Sequence, residues 1–297
     1  MLREFAVEPE LFGQWSEFRY LHEKFGVPKA RMIAEFPKKW RRMVYEAATD
    51  FTEIQRKTLE DWMANKDSFL VPSGRKYTLP DNWQQSAEAA HAQNPFHAIL
   101  ANGNPRAHQQ VLLPRDMPIE NHPLFKCPYE CFMPRDISGF MEISGFLLKC
   151  SKQIIFVDPY FKASSTWGES LQAMLSCVPP EAHLLRYCTG VAPRGEEEAY
   201  RITDLKEKLP KFISQGKSVE VVLLNKDAGM DMHNRYILTE RGGIKFPWGL
   251  DTSGDGSSDI VNLMEEYTSE SMFREYSSLV GRSVYTQFTV VGVVGVS

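Results

Sequence analysis

The chain has 297 residues, 43% of them hydrophobic, and a formal net charge of −4. That length and apolar content support one large domain or two ordinary ones, each with its own core. The slightly acidic balance excludes a globally basic nucleic-acid binder and leaves any such contact to local patches.

The first eighteen residues are mixed in charge and lack the apolar stretch of a secretory leader. No run of eighteen apolar residues follows, so no membrane insertion is expected. Five cysteines, an odd number, point to a reducing compartment, and a soluble cytoplasmic protein is expected.

Residues 9 to about 66 read as helices. Leu11, Trp15, Phe18, Leu21 and Phe25 recur at helical spacing, and Gly26 with Pro28 stops the pattern. A second segment, Ala30 to Ala48, carries Met32, Ile33, Phe36, Trp40, Met43 and Val44 on one side, with Pro37 breaking or kinking it. A third helix is expected from Thr52 to Ala64. Residues 1–110 are therefore expected to form a mainly helical domain.

Lys29, Arg31, Lys38, Lys39, Arg41 and Arg42 surround Trp40 in the densest basic cluster of the chain. Two readings are open. Lys38, Lys39, Arg41 and Arg42 grip a nucleic-acid backbone, or they form a solvated helix face around a buried indole.

The stretch 71–138 is rich in Pro, Asn, His and Gln and lacks periodicity, and 111–138 reads as an irregular connector. Cys127 and Cys131 are spaced C-x3-C beside Pro128, but no second ligand pair follows. The expectation is buried thiols, with no metal and no cofactor.

From 139 the texture becomes α/β. Helices are expected over 139–150, 166–177, 196–215 and 259–279, and strands over 153–157, 183–188, 218–224, 236–239, 244–248 and 284–294. The strands at 236–239 and 244–248 pair across Gly242-Gly243. Apolar strands between helices predict a sheet covered on both faces. Functional groups in such sheets collect at strand carboxyl ends, where Asp158 and Tyr160 fall.

The most specific run is His233-Asn234-Arg235-Tyr236-Ile237-Leu238-Thr239-Glu240. Side chains two apart on a strand share a face, so an imidazole and a guanidinium can address one phosphate. Imidazole serves as nucleophile or acid near neutral pH, and a neighbouring cation stabilises charge on phosphoryl oxygens.

His233-x-Arg235-x4-Glu240 resembles the H-x-K-x4-D signature of the phospholipase D superfamily. Gly242-Gly243-Ile244-Lys245-Phe246 and Gly249-Leu250-Asp251 resemble the glycine-containing strand that follows it, and Ile155 to Tyr160 the domain's opening strand. The resemblance covers residues 139–297 and is nearest to divergent single-motif members, including those of bacterial defence loci. It implies a phospholipase D-like sheet flanked by helices, and metal-independent phosphodiester cleavage through two histidines. His233, Arg235 and Glu240 would then be catalytic, and Asp158, Tyr160 and Asp251 would join Lys38, Lys39, Arg41 and Arg42 in binding substrate.

The chain departs from the pattern in carrying Arg235 for Lys and Glu240 for Asp, and in lacking the G-S-x-N segment. It holds one copy of the motif, since His22-Glu23-Lys24 falls in an expected helix. A homodimer is thus expected to supply the second histidine. The reading is a nuclease, with nucleic acid as partner and a further protein in a defence complex. Its competitor is an inactive phosphate-binding or scaffold module that recognises nucleic acid or a lipid headgroup.

Overall fold

A computed structural model of the chain describes residues 1–78, 82–118, 122–191, 198–225, 234–253 and 255–295. The chain folds as two compact units, Leu2–Pro128 and Tyr129–Ser297. None of the described helices is long and apolar enough to cross a membrane.

In the first unit β1 (Arg3–Val7) leads to α1 (Trp15–Lys24), β2 (Arg31–Glu35), α2 (Trp40–Ala47), α3 (Glu53–Ala64), β3 (Leu70–Pro72), α4 (Trp83–Gln93), β4 (Ala98–Leu100) and β5 (Val111–Leu112). The five strands are all parallel, in the order β3-β2-β1-β4-β5. Small residues Ala6 and Ala34 let α4 pack closely through Ala87 and Ala90. Elsewhere Trp62 stacks on Phe69 with ring centroids 3.8 Å apart, and Phe12 stacks on Trp62. Thr52 and Gln55 close a capping box on α3.

This unit corrects the expectation of a mainly helical domain: a parallel sheet organises it. Met32, Ile33 and Ala34 are fully buried in an inner strand. A short run buried on both faces has no period of its own, and with Phe36 and Trp40 beyond it mimicked a helical stripe. The boundary near 110 is also corrected. Val111–Leu112 pairs with β4, and Phe125 packs against Phe5, so the expected connector is divided between the units.

The second unit runs β6 (Glu130–Pro134), α5 (Ile137–Cys150), β7 (Gln153–Val157), α6 (Ser165–Ser176), β8 (Leu184–Gly190), α7 (Glu198–Lys208), β9 (Ser218–Leu224), β10 (Arg235–Thr239), β11 (Gly242–Phe246), β12 (Ser258–Leu263), α8 (Glu266–Ser278) and β13 (Val284–Val291). The sheet order is β13-β9-β8-β7-β10-β11-β12-β6. Strands β7, β8 and β9 are parallel and the remaining pairs antiparallel.

Ile154 to Val157 are completely buried because helices cover both faces. Ile155, Val157 and Leu238 meet Met264 and Tyr276 on one face. On the other, Phe140 of α5 meets Phe246 of β11. Each such fully buried side chain contributes about 1.5–3 kcal/mol through burial. The helix expected over 259–279 is corrected to a strand and a shorter helix. Asp259, Val261 and Leu263 alternate inward, and Glu265 then caps α8 by accepting the Thr268 N–H.

Candidate functional site

β7 delivers Asp158 to the carboxyl end of the parallel strands. Its carboxylate is fully buried. Oδ1 accepts the Tyr160 N–H at 2.9 Å, while Oδ2 accepts Leu250 N–H at 2.9 Å and the Trp167 indole N–H at 3.1 Å. Burial pushes the Asp158 carboxyl up, and these donors, with Arg235, pull it back part of the way.

Arg235 opens β10. Tyr236 pairs with Val157 across the antiparallel ladder, so Arg235 comes opposite Asp158 one step further along. Its Nε lies 3.9 Å from Asp158 Oδ1, and its Nη1 donates to the Pro247 carbonyl at 3.0 Å. The guanidinium lies over the Tyr160 ring, 4.9 Å from its centroid.

The loop after β11 crosses these groups. Trp248 N–H donates to Asp259 Oδ2 at 3.3 Å, and the Ser170 hydroxyl donates to the Leu250 carbonyl. Arg135 Nη2 donates to Asp251 Oδ1 at 2.7 Å. At Gly249 an added Cβ would sit 2.2 Å from Asp251 Oδ1, so a side chain here would push Asp251 aside. Burial raises the Asp259 carboxyl, while the Trp248 and Ile260 N–H donors and the nearby charges of Arg135 and Arg235 lower it.

The structure thus brings together Arg235, Asp158, Tyr160 and Asp251. Asp158 is a carboxylate with no exposure and three N–H donors, which holds the loop and faces Arg235. Asp251 is likewise committed to Arg135. Arg135, Trp167 and Asp259 were missed. Arg135 lies 116 residues from its partner Asp251, Asp259 falls in a segment expected to be helical, and Trp167, nine residues after Asp158 in α6, carries no motif.

Glu240 is corrected too. It lies beyond the far end of β10, about 16 Å along the chain from Arg235 at ~3.3 Å per strand residue. There its two oxygens accept the Lys152 and Gln153 N–H groups at 2.8 and 3.0 Å. It pins the start of β7. His233 lies outside the described residues.

The basic cluster belongs to the first unit. Lys38 and Lys39 are exposed in the loop that follows β2. Arg41 pairs with Glu35 at 3.0 Å and Arg42 with Glu46 at 2.7 Å, so both guanidiniums already face a carboxylate. Trp40 is buried and donates its indole N–H to the Val7 carbonyl. Arg31 stacks over Phe125 and donates to its carbonyl.

Among the described residues no cluster of His, Cys, Asp and Glu fits a metal ion. The described groups at the strand ends comprise three carboxylates and two guanidiniums. They can fix a rigid loop and a cation at a strand terminus.

No protein-family model and no curated protein matches the chain. Among solved structures, polyphosphate kinase from Porphyromonas gingivalis is similar at 14% identity and a TM-score of 0.35, over 60% of this chain. The chain covers 31% of that kinase's length. The archaeal chromatin protein TrmBL2, described with a novel mode of DNA binding, is similar at 10% identity and a TM-score of 0.28. That similarity covers 91% of this chain and 81% of TrmBL2.

Proposed function

We propose that the chain is a phosphodiesterase of the phospholipase D type that cleaves nucleic acid, with His233 as the reacting group and Arg235 as its phosphate-side cation. One observation carries the reading. The arginine two residues after His233 is fixed at a strand terminus, against a buried carboxylate and beside the carboxyl ends of three parallel strands.

His233 attacks phosphorus, and a phosphorus–nitrogen bond forms as the bond to the leaving oxygen breaks. A second imidazolium protonates that oxygen, then takes a proton from the water that releases the phosphohistidine. The chain carries one such motif, so the second histidine comes from another copy of the chain. Arg235 offsets charge on the equatorial oxygens. An active protein that is strictly monomeric at assay concentration would overturn the dimeric arrangement.

The second reading is a phosphate-binding module without turnover. It is favoured by the missing G-S-x-N donors, without which the sequence lacks the Ser and Asn groups of the motif. A labelled oligonucleotide incubated with excess chelator separates the two. Cleavage that vanishes in His233→Ala supports the phosphodiesterase, whereas retained binding without cleavage supports the module.

A further inference from the structure

We infer that Trp248 is a stacking platform for an unpaired nucleobase beside the phosphate that Arg235 faces. The inference rests on the phosphodiester reading of that site and adds a preference for single-stranded nucleic acid.

The chain has six tryptophans, all described. Trp40, Trp62 and Trp83 are buried, and Trp15 and Trp167 are half-buried. Trp248 alone is exposed, at 59%. An indole left in water is costly area for a fold to leave uncovered.

Its backbone is held from several sides. The Pro247 carbonyl takes a hydrogen bond from Arg235 Nη1, and the Trp248 N–H gives one to Asp259. The Leu250 N–H goes to the buried Asp158, and the Leu250 carbonyl takes the Ser170 hydroxyl. Gly249 lets the chain pass against Asp251 without a clash. A loop so anchored presents the exposed indole with little backbone conformational entropy left to lose on binding.

The position completes the argument. Trp248 follows directly on Pro247, whose carbonyl Arg235 holds, so the exposed indole is carried one residue from the backbone group that the guanidinium fixes. That is the pairing a nucleotide presents, one planar base per phosphate. A duplex keeps its bases stacked on one another and cannot offer that face without unstacking.

The test measures binding of the full chain to a fluorescent single-stranded oligothymidine, an abasic oligomer of equal length, a duplex, and phosphatidylglycerol vesicles. Wild type is expected to bind the oligothymidine most tightly, with quenching of tryptophan emission that the abasic oligomer does not produce. Trp248→Ala should weaken oligothymidine binding about tenfold or more while leaving abasic binding unchanged, and Trp248→Tyr should restore most of the loss.

Equal affinity of wild type for thymidine and abasic oligomers overturns the inference, as does vesicle binding that depends on Trp248 while oligonucleotide binding does not. Arg235→Ala separates the two levels. Loss of abasic binding in that variant with no effect of Trp248→Ala leaves the phosphate site standing without the platform. A Trp248 effect with Arg235→Ala silent keeps the platform and removes the phosphodiester reading. Binding to no oligomer overturns both.

Discussion

Arg235 and Asp158 face each other from the ends of neighbouring antiparallel strands, with Nε 3.9 Å from Oδ1 and the carboxylate completely buried. Removing one partner of such a buried arrangement strands the other. Asp158→Ala should lower stability by about 3–5 kcal/mol, read as a fall in urea midpoint. Asp158→Asn keeps an acceptor and should cost less. An unchanged midpoint in Asp158→Ala would mean that the loop is held by other groups.

Glu240 lies at the other end of the same strand, and its role separates from chemistry. Glu240→Ala frees the Lys152 and Gln153 N–H groups, and a loss of about 1–2 kcal/mol is expected. Nucleic-acid affinity of the folded protein should stay within about twofold of wild type. A large loss of affinity in a variant that melts normally would return Glu240 to the site.

Gly249→Ala places a methyl group onto Asp251 and against Asp158. The Arg135–Asp251 pair must shift, at about 1–3 kcal/mol. Melting temperature and oligonucleotide affinity should fall together. A variant that loses neither would show that the loop has room to move.

His97, at the start of β4, stands edge-on to Phe5 in the first unit. Burial, with Arg3 and Arg31 nearby, lowers its pKa to about 4, against about 6.5 in an unfolded chain. Between those values the unfolded state binds the extra proton. Stability from this group is therefore complete above about pH 6.5 and is lost progressively as pH falls toward 4. Urea midpoints measured across that window should drop more steeply in wild type than in His97→Phe. Parallel curves would contradict the assignment.

The legible part of the fold was the part with strong local signals. Gln153–Val157 is long enough, and bounded sharply enough by Asp158-Pro159, to read as a strand, and Gly242-Gly243 marks the β10–β11 turn. Arg31–Glu35 was not legible, because a strand this short and buried in its middle carries no period. In the site, Asp158 was singled out by its strand end and Arg235 by motif spacing, and the antiparallel ladder sets them opposite each other. The Arg135–Asp251 pair spans 116 residues, and only the folded sheet brings such partners together. Glu240 was drawn into the site by motif spacing, although five strand residues carry it to the opposite edge.

The most direct measurement is mass spectrometry of the protein quenched during turnover of an oligonucleotide in excess chelator. The account predicts that one oligonucleotide fragment is joined through its terminal phosphate to the peptide containing His233, by a bond labile in acid and stable in base, and that this adduct disappears with the cleavage in His233→Ala. Cleavage that persists in His233→Ala, or an adduct on another residue, would contradict it.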